Sequence, residues 1–257
     1  MHRAQQWAEK GNSGPLFSIV TVVRNGADSL ERTIRSMAIQ DFSGYEYLIL
    51  DGASSDGTMQ IVERNAAHVT MFRSEPDKGV YDGMNKALSL CRGEYVYFLN
   101  CGDWLAAPDI LSRVAAQITA GRADIVYGNV YNAWLAEERL VRTRILDPRD
   151  LLYDTVCHQA MFASRRVFEA IGGFDMRYAI CADREWLLRS VLRHGFRLAY
   201  TDVPVCVFDG GGLSSNARSK QRKRWENWLL NVRYFPLRSV GFFMRKAVVK
   251  LTTTATP

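Results

Sequence analysis

The chain has 257 residues, 47% apolar and 23% charged, a balance that excludes a disordered polar chain and allows one substantial domain, or one domain with a short appendage. No run approaches the roughly 18 consecutive apolar residues that span a bilayer, and the stretch MHRAQQWAEKGNSGP lacks the apolar centre of a signal peptide. The net charge of +6 is uneven: ten Lys or Arg and one acid, Glu226, lie between Arg218 and Lys250, so this segment carries +9 and the rest of the chain −3.

A basic tail on a mildly acidic body argues against a nucleic-acid enzyme, whose positive surface would surround its cleft. Five widely spaced cysteines, Cys91, Cys101, Cys157, Cys181 and Cys206, form no CxxC pair. They argue against a zinc finger or a disulfide framework and for a reduced, intracellular protein.

Residues 1–14 read as a flexible lead-in. Phe17 to Val23 is a β-branched run closed by the turn signal Arg24-Asn25-Gly26. Leu30, Ile34, Met37 and Ala38 recur at helical spacing, with Asp28 or Ser29 as the cap. Tyr45 to Leu50 predicts a second strand closed by Asp51-Gly52, and a helix follows Asp56-Gly57-Thr58. Val69 to Phe72 predicts a third strand, and Met84, Ala87, Leu88 and Cys91 mark a helical face. Tyr95 to Leu99 predicts a fourth strand running into Asn100-Cys-Gly-Asp103, and Pro108 opens a helix before a strand at Asp124 to Tyr127.

Continuous apolar strands alternating with helices imply a mainly parallel sheet covered on both faces, with ligands bound beyond the carboxyl ends of its strands. The polar clusters fall there: Arg24-Asn25, Asp51 to Asp56, Glu75 to Lys78, and Asn100 to Asp103. No GxGxxG follows the first strand and no GxxxxGK[ST] occurs, so dehydrogenase and P-loop readings lose their main support. Beyond residue 130 the alternation weakens. Cys157 to Phe162 enters a strand-like run, Val167 to Ile171 predicts a short helix, Leu187, Val191 and His194 mark another, and Tyr200 to Phe208 is a last strand.

The order SIVTVVRN, LILDGASSDGT, SEPDKGVYDGMNKAL, GEYVYFLNCGD, then CHQAMF, GGFDMRY and ICADREWLLR, resembles the family 2 glycosyltransferases of the GT-A fold over roughly residues 15–215. The likeness is greatest to bacterial enzymes that assemble surface or extracellular polysaccharide. It implies a Rossmann-like, mainly parallel α/β domain that transfers a sugar from a nucleoside-diphosphate sugar, with inversion, to a saccharide acceptor.

The resemblance also implies a site. Thr21, Val23 and Asn25 leave the first strand where the family packs the base. Asp51 and Asp56 stand where it places acids near the nucleoside, although Asp56 also suits a helix cap. Asp77, Lys78 and Asn85 lie over nucleotide and donor sugar. Asn100 and Gly102 occupy positions of the family's acidic metal motif, leaving Asp103 as its carboxylate, and one carboxylate suffices for Mg²⁺ or Mn²⁺ if diphosphate and water supply the other oxygens. Asp183 matches the family's general base, with Ala182 where a glutamate often stands; an N-cap is its alternative role. His158 and Gln159 border donor and acceptor, with a structural role the alternative for His158; Arg184 and Arg189 suit diphosphate contacts or simply a charged helix face, and the Gly210-Gly211-Gly212 loop suits a lid. Some relatives supply a metal-binding histidine in that loop, for which Asp209 is the available stand-in.

Residues 216–257 form a basic segment with two apolar stripes, Trp225, Trp228, Leu229, Val232 and then Val240, Phe243, Met244, Ala247, Leu251. Basic amphipathic helices with Trp and Phe suit an anionic membrane surface, or pack on the catalytic domain. The aromatics do not interleave with the arginines as a nucleic-acid stacking platform would require, so no nucleic-acid partner is expected. The expectation is a cytoplasmic enzyme at the inner face of the membrane, acting on a lipid-linked or oligosaccharide acceptor. A nucleotidyltransferase and a non-catalytic nucleotide-sugar-binding or membrane scaffold protein remain open alternatives.

Overall fold

The computed structural model describes residues 14–121, 123–133, 139–142, 145, 147–210 and 217–236. The lead-in over 1–13, the loop glycines 211–212 and the second apolar stripe, 240–251, lie outside the described residues.

β1 (Phe17–Val23) pairs in parallel with β2 (Tyr45–Asp51) on one side and with β4 (Tyr95–Phe98) on the other, and β3 (Met71–Ser74) extends the parallel block beyond β2. The third strand therefore runs two residues later than its apolar run predicts, where Leu48 to Asp51 supply its partners. β8 (Met161–Ser164) pairs antiparallel with β4 and turns the sheet into its second half. There β6 (Ile125–Asn132) lies between β8 and β9 (Leu198–Phe208), with β7 (Arg139–Val141) also on β6, and β5 (Trp104–Leu105) on β9.

Seven helices flank the sheet among the described residues: α1 (Leu30–Ala38), α2 (Thr58–Arg64), α3 (Val80–Leu88), α4 (Ile110–Gly121), α5 (Arg165–Ile171), α6 (Ala182–Leu188) and α7 (Ala217–Tyr234). β1 is buried on both faces because each face has its own core. Phe17, Ile19 and Val23 pack with Leu30, Ile34 and Met37 of α1 and with Leu111, Val114 and Ile118 of α4. Val20 and Val22 pack on the other side with Met84 and Ala87 of α3, Val167 of α5, Trp186 of α6 and Leu230 of α7. Two-sided coverage explains why these strands read as continuous apolar runs.

Behind α6 the aromatic rings interlock. Phe168 stacks on Trp186 with centroids 4.4 Å apart, and Phe174 meets Phe98 and Tyr81, each at 5.5 Å. Each such pair adds on the order of 1 kcal/mol beyond its buried area, so the start of α6 rests on a stiff bed. No helix among the described residues is long and apolar enough to cross a membrane.

Candidate active site

The parallel block brings the ends of β1, β2, β3 and β4 to one edge, and hydrogen bonds stitch the loops that leave them. Asn25 Oδ1 accepts from the Ser55 amide at 2.9 Å, and the Asn25 amide donates to Ser54 Oγ at 2.7 Å. Asn25 and Ala53 both adopt left-handed backbone, with φ of +53° and +58°. Strain of this kind in non-glycine residues concentrates where a loop must hold a functional shape.

Asp51 is buried at the end of β2, where its carboxylate accepts from the Ser54 amide at 3.0 Å, the Ser54 hydroxyl, and the Ser74 hydroxyl at 2.6 Å. Beside it, Gly52 leaves the space that Asp77 occupies: a Cβ there would stand 2.4 Å from Asp77 Oδ2. The other Asp77 oxygen accepts from the Gly79 amide at 2.9 Å. Lys78 is exposed nearby, and its amide donates to Asp82. Asp56 binds the Ala27 and Thr58 amides, each at 3.0 Å, so it joins the two loops just ahead of α2, whose N-cap is Gly57.

Beyond β4, Asp103 is only 4% exposed, with Oδ1 accepting from the Asp209 amide at 3.0 Å and Oδ2 from Gln159 Nε2 at 3.2 Å. Burial pushes its carboxyl up to about 6, despite the opposing pull of the Asp209 amide, His158 and Gln159. Gly102, at φ +99°, donates its amide to Thr33 Oγ1, and Arg32 binds both the Gly102 carbonyl and the Asp209 carboxylate at 2.9 Å.

Asp183 lies in the first turn of α6, whose cap is Cys181, so capping is not its position. Its Oδ2 accepts from His158 Nδ1 at 2.9 Å, and its Oδ1 accepts from the Arg184 amide at 2.8 Å and the Tyr81 hydroxyl at 3.1 Å. Burial pushes this carboxyl up, but the His158 hydrogen bond, the Arg184 amide and the Tyr81 hydroxyl outweigh it and hold it below the usual carboxylate range. The side chain remains 22% exposed, and Oδ2 accepts one hydrogen bond against the two on Oδ1. The other ring nitrogen, His158 Nε2, lies 3.0 Å from Asn100 Nδ2. An amide donor there makes Nε2 the acceptor and Nδ1 the protonated nitrogen, matching the bond to Asp183. His158 thus bridges the end of β4 to the carboxylate on α6.

Five expected ligand contacts are taken up inside the fold. The Thr21 hydroxyl turns into the core and binds the Leu99 carbonyl at 2.7 Å and Tyr47 at 2.9 Å, and Val23 is buried beside α1. Their places on β1 put both side chains on a covered face. Asn85 clamps the backbone of Phe174, accepting at 2.7 Å and donating at 2.9 Å. Arg184 and Arg189 lie on the inner faces of their helix. Arg184 binds the carbonyls of Leu151 and Leu152 with Asn227 and Asn231, and Arg189 binds Glu185 and the carbonyls of Ile171 and Gly173. Expected phosphate contacts are therefore structural staples here.

Two residues of the site lay outside the sequence expectation. Tyr81 sits inside the DKGVYDGMNK motif, but an aromatic at helical spacing reads as core. Glu226 is the one acid in the basic tail, and its position four residues before Leu230 was the available signal of an inward face.

A sheet whose four parallel strand ends gather at one edge, carried on through antiparallel β8 and covered by helices on both faces, has the GT-A architecture. S. aureus TarS 1–349, solved in complex with UDP-GlcNAc, matches 85% of this chain and 67% of its own at TM-score 0.68 and 18% identity. Mannosyltransferase PcManGT from Pyrobaculum calidifontis, in complex with GDP-Man and Mn²⁺, matches 97% of this chain and 86% of its own at TM-score 0.60 and 17% identity. The PGL/p-HBAD biosynthesis glycosyltransferase of Mycobacterium tuberculosis is 32% identical over 215 residues, covering 81% of this chain and 83% of that relative. The chain belongs to glycosyl transferase family 2, whose model matches residues 18–171.

Proposed function

We propose that this protein transfers a sugar from a nucleoside-diphosphate sugar to a hydroxyl of a saccharide acceptor with inversion, in bacterial polysaccharide assembly. The observation that carries the reading is the bridge from Asn100 through His158 to Asp183, which ties the strand-end loops to a partly exposed carboxylate on α6. Asp183 takes the proton of the acceptor hydroxyl as its oxygen bonds to the anomeric carbon; the bond from that carbon to the diphosphate breaks on the opposite face, and the nucleoside diphosphate departs. Asp51, Asn25 and Asp77 line the nucleotide end, with Lys78 beside them, and the buried Thr21 and Val23 support β1 beneath.

Among the described residues no group of three or more His, Cys, Asp or Glu could hold an ion by itself. The residues after β4 nevertheless fit a minor share of a Mg²⁺ or Mn²⁺ shell. Each Asp103 oxygen has one protein donor and a lone pair left, and Asn100 Oδ1 is buried without a hydrogen-bond partner among the described residues. When bound, such an ion offsets charge on the leaving diphosphate. Thermal-shift titration with UDP, GDP, CDP and dTDP, each with Mn²⁺, Mg²⁺ or EDTA, tests this reading. We expect one nucleotide to stabilise the protein, more so with metal. Stabilisation indifferent to EDTA removes the metal, and a stabilising nucleotide whose sugar derivatives are never turned over favours a non-catalytic binding protein.

The lipid-linked acceptor and membrane contact rest on α7. Its stacked Trp225 and Trp228, centroids 4.7 Å apart, face outward with Trp225 58% exposed, and Lys220, Lys223 and Arg224 lie on the same exposed turns. The Trp225→Ser, Trp228→Ser double variant is expected to co-sediment less with vesicles containing anionic lipid; unchanged co-sedimentation refutes this membrane face.

A further inference from the structure

Nearly every residue flanking Asp183 is held by α7, while Asp183 itself points away from that helix. Glu226, 3% exposed, accepts three successive backbone amides with one carboxylate: Ala179 on Oε1, and Ile180 and Cys181 on Oε2, all at 2.9 Å. Arg222, one turn earlier, pairs with the same carboxylate at 2.8 Å. On the far side of Asp183, Arg184 donates to Asn227 at 2.7 Å and Asn231 at 2.8 Å, and Tyr234 donates to Glu185 at 2.7 Å. Arg233 reaches the Tyr178 hydroxyl at 3.2 Å. Leu230 and Phe235 are buried beneath this row. The family match ends at residue 171, ahead of both α6 and α7.

A carboxylate that accepts from three consecutive amides pins the backbone at three points, and releasing the Cys181 amide leaves a buried donor unpaired. The fixed stretch, 179–181, runs straight into the turn that aims Asp183. The single Tyr81 hydroxyl hydrogen is shared between the Ile180 carbonyl, at 2.9 Å, and Asp183 Oδ1, at 3.1 Å. Holding a reacting group within a few tenths of an ångström governs rate far more than ligand affinity.

We infer that Glu226 is a positioning residue for Asp183 and that α7 completes the catalytic site rather than forming a separable membrane appendage. This rests on Asp183 being the base. A membrane bound to the outer face of α7 would then grip the same helix whose inner face aims the base.

The test is Glu226→Gln in the full chain, assayed well below its melting temperature. Glutamine offers one acceptor oxygen and an amide that opposes an N–H donor, so at least one of the three bonds is lost. Turnover is read as nucleoside-diphosphate release from sugar derivatives of the nucleotide selected by the thermal-shift screen. We expect kcat to fall at least tenfold, KM for the donor and the nucleotide-induced thermal shift to stay within twofold, and hydrogen exchange to quicken over 178–185. A folded variant with kcat within twofold of wild type overturns the inference, even if its melting temperature drops. If Glu226→Gln does not fold, Asn227→Ala, at a half-buried position on the same helix, carries the same kcat criterion. Asp183→Asn separates the two layers: turnover retained there removes the base itself, whereas an inactive Asp183→Asn beside a fully active Glu226→Gln removes only the positioning role.

Discussion

Asp183→Asn is expected to lower kcat by about 10² to 10⁴-fold, the range a general base contributes, while nucleotide binding stays near wild type. Binding survives because Asp51 and Asp77 stand on the β2 and β3 loops, stitched by bonds that do not pass through α6. The fold survives as well. The asparagine oxygen still accepts from Arg184 and Tyr81, and its amide then faces His158 Nδ1. The imidazole answers by moving its proton to Nε2, and rotation of the Asn100 amide presents its otherwise unpartnered Oδ1 to that proton. Retained turnover would transfer the base to another group.

His158 gives the same assignment a control. In His158→Asn the amide can occupy the place of Nδ1–H, whereas in His158→Gln it reaches toward Nε2 and Asn100. The asparagine variant should keep more activity. Because the His158 hydrogen bond pulls the Asp183 carboxyl down, losing it lets that carboxyl rise, and the acid limb of the rate profile should move to higher pH.

Asp103→Asn is expected to abolish the metal-dependent part of the nucleotide response and to stabilise the ligand-free protein near pH 7.5 in EDTA. The folded protein holds this carboxyl at about 6, above its ordinary 3.8, so the folded state favours the protonated form. As pH rises from 3.8 the unfolded chain ionises first, and the folded state has lost about 3 kcal/mol, as an upper bound, once pH exceeds the folded value. Asparagine cannot ionise, and its oxygen can still accept from the Asp209 amide. The gain should amount to several degrees in Tm near neutrality and shrink as the pH falls toward about 4. The two results together would mark Asp103 as a group arranged for a cationic ligand. A destabilised Asp103→Asn that keeps its metal response would make Asp103 a structural link to Asp209.

Much of the architecture is legible in the sequence because its signals are local. Apolar runs such as Phe17 to Val23 and Tyr45 to Leu50 need cover on both faces, and their polar closers, Arg24-Asn25, Asp51-Gly52 and Asn100 to Asp103, become strand-end loops in any parallel sheet. The motif order is enough to point to the family, and the match over residues 18–171 agrees. The cap expected at Asp56 falls one residue later: Gly57 caps α2, and Asp56 joins two loops through the Ala27 and Thr58 amides.

Side-chain direction was decided only by tertiary structure. Thr21, Asn85, Arg184 and Arg189 sit within motifs, yet their partners lie on other elements: Leu99, Phe174, Asn227 with Asn231, and Ile171 with Gly173. A motif states which residue types gather, but a hydroxyl or guanidinium goes to whichever buried acceptor would otherwise stand unpaired. The basic tail shows the same division. Its composition gives a cationic segment, but the apolar residues read there as one stripe, Trp225, Trp228 and Val232, lie exposed, and the partners of Glu226, three amides about 46 residues earlier in the chain, were set only by tertiary structure.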